Sequence, residues 1–350
     1  MSLTIGPDVL LIGDGLTSLA ALRSLIRSCH VVGVIRGDTS GELDPVRSLA
    51  AEAGVPVFPR KGLNDLQQII VQLQPKIVVI STFDRILPKN ILRLSQFINV
   101  HYSALPRYRG RASVRWALIN GDSTIAMTIH SVSSDFGSGN VLFQQEIAID
   151  PRDTVASLFS QLNAIQEREL GRVVVETAAG AAGAPQDHAD ATYGCSRNPD
   201  DGEIDWTRST AEIDRLIRGL APPFPGAFTH LDGQRVIIFS AHPLPDPPKY
   251  VGRVAGRVVR RSAADGWVDV LTGDGILRVR ELISGSGAIA SAAEIITSAQ
   301  ATLGLSRLDL LERIEVLADR ITELEGVVSS SLASSARMRL LGSLDFDPDS

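Results

Sequence analysis

Asn99 and His101 stand two residues apart, followed at once by Tyr102-Ser-Ala-Leu-Pro-Arg-Tyr-Arg-Gly-Arg111. In an extended strand the side chains alternate with a period of two, so the carboxamide and the imidazole share one side. The Pro- and Gly-containing run that follows ends the strand and leaves the pair at its C-terminal edge. A carboxamide N–H can hold the oxyanion of a tetrahedral intermediate, and an imidazole can move a proton between an amine and a leaving group. Acyl transfer to nitrogen needs both.

The preceding hundred residues supply the scaffold for such a pair. Short apolar runs at 9–12, 31–35, 55–58 and 77–80 read as strands, and helical patterns occupy 16–25, 47–53, 66–73 and 87–94. Strands alternating with helices predict an α/β doubly wound, mostly parallel sheet covered on both faces. Right-handed crossovers then gather ligands at the strands' C-terminal ends, where Asn99 and His101 fall. Gly13-Asp-Gly15 follows the first strand, but the third glycine of a dinucleotide fingerprint is missing and Arg36, not an acid, ends the second strand. Close packing at a strand-to-helix turn explains these glycines, and no nucleotide site is assigned.

Residues 124–132 and 139–147 read as two more strands, and 154–177 as a long amphipathic helix. The small-residue run 178–185 marks a boundary. Short strands at 227–231, 235–240, 257–261, 266–271 and 277–282 predict a smaller, open β-barrel-like subdomain. The expected organisation is a domain at 1–183, a linker at 184–204, the β subdomain at 205–300, a helix at 301–328 and a mobile tail at 329–350. Within the helix, Leu310, Ile314, Leu317, Ile321 and Leu324 recur at alternating spacings of four and three, a heptad seam. It packs against its own chain or pairs in a homodimer through residues 307–326.

Composition sets bounds on function. At 350 residues with 44% hydrophobic and 21% charged content, the chain has material for two cores and is globular. Cys29 and Cys195 are the two cysteines, too few for a disulfide framework, and neither has Cys/His neighbours at metal-ligand spacing. No basic segment leads into a signal-length apolar run and no apolar stretch reaches membrane-span length, so a cytoplasmic protein is expected. A net charge of −6 argues against nucleic acid as a partner. Arg107, Arg109, Arg111 and Arg115 form a local basic set that either flanks an anionic pocket or is solvated charge.

The Asn99–Arg111 segment resembles the Asn-x-His…Ser-Leu-Leu-Pro…Arg-Gly signature of the 10-formyltetrahydrofolate-dependent formyltransferases. The likeness continues through Trp116–Asp122, Met127–His130, Asp201–Trp206 and Arg218–Ala227, and covers roughly residues 8–285. It implies a formyltransferase-like Rossmann domain with a C-terminal barrel, 10-formyltetrahydrofolate as formyl donor, and Asn99 and His101 as catalytic residues. The family's third catalytic residue, an Asp, aligns with Gly137, and the acid nearest to it is Asp135. In an extended segment the two positions lie roughly 6–7 Å apart. Asp135 is the residue expected to orient His101 where the loop permits. The resemblance also implies donor contacts at Phe83, Asp84, Arg85, Ser103, Leu105, Pro106, Arg111, Ser133 and Gly137.

These residues point to an N-formyltransferase acting on a primary amine of a small metabolite, such as an amino sugar or an amino-acid-derived amine. The segment after the second strand is short and slightly acidic, which speaks against methionyl-tRNA as acceptor. The alternative is a protein of the same fold that has lost formyl transfer and catalyses another reaction or binds a ligand. No metal is implied. His130 reads as a packed or surface histidine, and His188, His230 and His242 receive no catalytic role. Trp206 is expected to pack at the subdomain junction, with Glu203 and Asp205 as turn and cap residues.

Overall fold

The computed structural model of the chain describes residues 6–37, 44–83, 85–133, 137–285, 287–305 and 307–342. Asp84 and Asp135 lie outside the described residues. The first unit runs β1 (Asp8–Gly13), α1 (Gly15–Ser28), β2 (His30–Arg36), α2 (Pro45–Glu52), β3 (Val57–Pro59), α3 (Leu63–Leu73), β4 (Ile77–Ser81), α4 (Lys89–Leu92) and β5 (Gln96–His101). It continues with β6 (Arg109–Gly110), α5 (Ser113–Asn120), β7 (Thr124–Ser131), β8 (Val141–Ala148) and α6 (Val155–Ala178).

Seven strands form one sheet in the order β3-β2-β1-β4-β5-β7-β8. The first five are parallel, and β7 and β8 are antiparallel to their neighbours. Alternation along β1 explains the two cores. Val9 and Leu11 join Leu19, Leu22, Leu158 and Leu162 on the face of α1 and α6, whereas Leu10 and Ile12 join Leu66 and Ile70 on the face of α3. A Cβ on Gly13 would lie 1.9 Å from the Ser81 carbonyl oxygen, so this glycine permits β1 and β4 to approach. Asp44 caps α2 by accepting from the Val46 and Arg47 amides, ahead of Pro45 in the first turn. The pattern over 87–94 yields only the four-residue α4, because Pro88 delays its start and the chain must turn at once into β5.

A connecting segment carries β9 (Tyr193–Gly194), which pairs with β6. The second unit then holds α7 (Thr210–Gly219), β10 (Ala227–Leu231), β11 (Gln234–Pro243), β12 (Val258–Ser262), β13 (Trp267–Leu271), β14 (Ile276–Ile283), β15 (Ile289–Ser291) and α8 (Ala292–Ile295). Its strands form an antiparallel sheet, β10-β11-β14-β13-β12 with β15 on β14, over a core that includes Trp206, Val268, Val270 and Leu277. Trp206 belongs to this core, and its indole N–H donates to Thr229 Oγ1 at 2.9 Å. Asp205 accepts from the Thr207 amide, a turn contact, while Ser209 and Glu212 form the capping box of α7.

The units meet where α7 packs on α5. A Cβ on Gly219 would lie 2.7 Å from Ile119 Cγ1, so glycine sets that approach. Arg218 pairs with Asp214 at 2.8 Å and donates to the Asp153 carbonyl, tying α7 to the turn before α6.

A last helix, α9, spans Arg307–Gly342 and extends past residue 328 through a stretch predicted from sequence to be mobile. Between Gly326 and Gly342 the sequence has neither Gly nor Pro, so no helix breaker stops propagation. Residues 343–350 lie outside the described residues. Among the described residues no helix is long and apolar enough to cross a membrane.

Candidate active site

β5 ends at His101, and β7 lies antiparallel beside it with His130 directly opposite Asn99 and Thr128 opposite His101. Cross-strand partners in such a ladder are close enough for their side chains to interact. Asn99 Nδ2 lies 3.0 Å from His130 Nε2, and His130 Nδ1 lies 2.8 Å from the Ser131 carbonyl oxygen. A carbonyl can only accept, so Nδ1 carries the His130 proton and Nε2 is the acceptor. The Asn99 amide group therefore donates to His130, and the carboxamide plane is fixed with its second N–H unpaired among the described residues.

The same reasoning fixes His101. Its Nε2 donates to the Tyr108 carbonyl at 2.8 Å, which leaves Nδ1 as the ring's lone-pair nitrogen. The two imidazoles are edge to face, with centroids 6.5 Å apart. Burial depresses the pKa of His101 against the opposing effect of its backbone hydrogen bond. Burial, with His101 and then Arg109 adding charge repulsion, pushes His130 down to about 4. Both rings are neutral at pH 7.

The loop after β5 is held from two sides. Thr128 Oγ1 donates to the Ser103 carbonyl, Gln144 Nε2 donates to the Leu105 carbonyl, and the Ser103 hydroxyl donates to the Arg107 carbonyl. Thr82, Tyr108 and Ala112 hold positive φ values of 74°, 54° and 57°. All three flank the site, where backbone strain of this kind concentrates. A cis Leu105–Pro106 bond lies in the same loop.

Asn99 and His101 open onto a cavity of about 550 Å³, a size typical of ligand sites. It lies beyond the C-terminal ends of β1, β4 and β5, with Asp14 and Thr82 in its wall, at the crevice where the strand order reverses. Phe83, Arg85, Leu105, Arg111, Ser133 and Gly137 line it as well. Ser103 and Pro106 do not line it; Ser103 is buried and serves the loop. Asp84 and Asp135, on which the sequence placed a donor contact and the His-orienting carboxylate, lie outside the described residues.

Two residues of the wall have partners that the sequence reading did not assign. His130, read from sequence as packed or exposed, is buried, lines the cavity and grips Asn99. Its signal was its alternation with Thr128 on a strand that the β5 pairing places beside Asn99. The second is Arg109, which is 3% exposed and donates from Nη2 to Gln186 Oε1 at 2.7 Å and to His188 Nδ1 at 3.1 Å. Gln186 Nε2 in turn donates to the carbonyls of Gly137 and Gly139. A Cβ on Gly137, whose φ is +66°, would lie 3.2 Å from Arg109 Cγ. Arg109 thus fills the space in front of the position where an Asp was sought, and no acid pairs with it among the described residues.

The far wall is shared by Arg115 from α5, Arg197 from the connecting segment and Phe224 from the second unit. Arg115 lies 4.4 Å from the centroid of the Phe224 ring, and Arg197 lies 4.6 Å from that of Trp116. Both guanidinium pKa values are lowered, chiefly by burial, and Arg115 also by the charge of Arg197. With Arg60, Arg85, Arg109 and Arg111, six arginines line the cavity, against Asp14 as the acid among the described residues. Asp14 is already paired with Arg60 at 3.3 Å. No cluster of three or more His, Cys, Asp or Glu suited to a metal is found among the described residues.

This arrangement defines a doubly wound α/β domain with a polar, cationic site at the sheet's C-terminal rim, joined to an antiparallel β unit. Residues 23–174 match the profile of the formyl transferase family, and residues 197–300 match that of the formyl transferase C-terminal domain. The chain is 35% identical over 243 residues to a methionyl-tRNA formyltransferase of Desulfotalea psychrophila, covering 68% of this chain and 73% of that protein. The chain belongs to the formyl transferase family. Among solved structures, it is similar in fold to HypX from Aquifex aeolicus, with a TM-score of 0.60 at 15% identity. That match covers 84% of this chain and 49% of HypX, so the chain spans about half the length of that protein. It is also similar in fold to the sugar 3N-formyl transferase WlaRD, with a TM-score of 0.56 at 16% identity, over 78% of this chain and 96% of the other.

Proposed function

We propose that the chain moves a formyl group from 10-formyltetrahydrofolate to the primary amine of a small metabolite that carries an anionic group. The observation that carries this reading is the pairing at the end of β5, where an Asn99 amide hydrogen is left free, the His101 Nδ1 lone pair is uncommitted, and both residues line the same cavity. The residues present fit such a donor: Phe83, Ile86 and Leu87 offer apolar wall for a pteridine, and Arg85 and Arg111 offer cations for its carboxylates. When bound, the donor supplies a formyl carbon activated by its attachment to nitrogen. Asn99 then offers its free N–H to the oxygen on which negative charge grows, held in place beforehand by His130. The amine nitrogen bonds to the formyl carbon as that carbon's bond to the folate nitrogen breaks; His101 takes the proton that the amine gives up, at Nδ1, because Nε2 is committed to Tyr108, and returns it to the departing nitrogen. A neutral ring is the competent form, and burial keeps it so.

Arg115 and Arg197 support the anionic acceptor. Two desolvated cations that repel one another, each resting on an aromatic face, gain from a phosphate or carboxylate between them. Methionyl-tRNA is the second reading, favoured by the 35% identity to an enzyme of that name. The test is to supply 10-formyltetrahydrofolate with paired amines, with and without a phosphate, and with initiator methionyl-tRNA, and to follow tetrahydrofolate release. Turnover with a phosphorylated amine is expected. Turnover with methionyl-tRNA alone establishes the second reading. Folate binding with no turnover for any amine would leave a formyl transferase fold put to other use.

A further inference from the structure

Helix α9 presents an apolar stripe to solvent. Leu310, Ile314, Leu317, Ile321, Leu324 and Val328 are each between 41% and 61% exposed, although they recur at four-three spacing down one side. Writing the repeat as abcdefg, the steps of four and three fix the register: Ile314, Ile321 and Val328 fall at a, and Leu310, Leu317 and Leu324 at d. β-Branched residues at every a position with leucine at every d position are the combination that favours two parallel strands over three or four. The outer f positions carry Glu312 and Asp319, and b carries Glu315, which keeps the opposite side hydrated.

The flanking positions point to the same partner. Arg320 falls at g and Glu325 at e of the next heptad, the two positions that meet across a parallel pair. A second copy of this chain would thus bring Arg320 against Glu325, and by symmetry the reverse contact forms as well. Val327 at g would meet Leu332 at e in the following layer, and Arg313 would meet Ala318, so no like charges face each other. An antiparallel pair would set g beside g and draw the arginines together. We propose that α9 pairs with α9 of a second copy as a parallel two-stranded coiled coil through residues 310–328. At 1.5 Å per residue the 36-residue helix is about 54 Å long, enough to hold two catalytic units at one end of a common stalk.

Sedimentation equilibrium of the full chain tests this without reference to activity. A reversible dimer is expected, and Leu317→Glu with Leu324→Glu is expected to give a monomer with an unchanged thermal midpoint for the body. Arg320→Glu and Glu325→Arg are each expected to weaken the dimer roughly tenfold, while the double charge exchange restores it. In a Cys195→Ser background, Ile321→Cys is expected to cross-link to its own copy under mild oxidation, since only a parallel pair brings identical a positions together. A wild-type chain that stays monomeric up to about 100 µM overturns the proposal, as does a trimer. So does a double exchange no tighter than the single variants, or failure of the Ile321→Cys link.

Discussion

Asn99 and His130 face each other across an antiparallel strand pair and share a 3.0 Å hydrogen bond in which the carboxamide donates. The histidine is a positioning residue: it decides which way the amide group points, because its own proton is bound to the Ser131 carbonyl.

Removing the carboxamide isolates that donor. Asn99→Ala is expected to lower kcat by roughly 10²–10³ with little change in KM for the donor, because the lost hydrogen bond strengthens only as charge develops. His101→Ala is expected to lower kcat by roughly 10²–10⁴ and to remove the acid limb of the pH profile. Steady-state tetrahydrofolate release measures both, and a variant with wild-type kcat would strike that residue from the mechanism.

His130 couples stability to pH. Its imidazole titrates at about 4 in the folded chain against 6.5 as a free side chain. Between those values the unfolded chain holds the additional proton, so stability is full above pH 6.5 and declines as the pH falls toward 4. The loss amounts to at most roughly 3 kcal/mol. Thermal midpoints measured from pH 7 to 4 are expected to fall more steeply for the wild type than for His130→Gln, which cannot titrate. Equal slopes would remove His130 from this account.

Gly137→Asp tests the role of Arg109. Space for a new side chain at Gly137 faces the Arg109 methylenes at 3.2–3.5 Å, so the carboxylate is expected to pair with that guanidinium and not with His101. The backbone there has φ +66°, which costs a non-glycine residue about 1 kcal/mol. A slightly lower midpoint and no gain in kcat are expected. A gain of tenfold or more would show that a carboxylate reaches the His101 imidazole after all.

Much of this architecture was legible in the sequence because parallel strands buried on both faces read as unbroken apolar runs. Residues 9–12 and 77–80 mark β1 and β4 in that way, and the period of two put Asn99 and His101 on one side. The partners of these residues were not legible, because register across strands and long-range loop packing leave no local trace. His130 meets Asn99 only through the β5–β7 pairing, and Arg109 is buried only because Gln186 and His188 return to it from almost eighty residues away. Helix α5 carries the Arg115 side chain toward the site, yet its eight residues from Ser113 to Asn120 were too short to show a period.

The two-residue pairing of β6 with β9 fastens the connecting segment to the loop that carries Tyr108 and Arg109. The Tyr108 amide donates to Thr192 Oγ1, the Arg109 amide to the Thr192 carbonyl, and the Trp116 indole to the Cys195 carbonyl. Since the Tyr108 carbonyl anchors the His101 imidazole, that anchor is buckled in place by residues beyond the first domain's final helix. A fragment cut after α6 would keep its sheet and lose the clasp, so the setting of the His101 ring depends on chain that lies beyond the first domain.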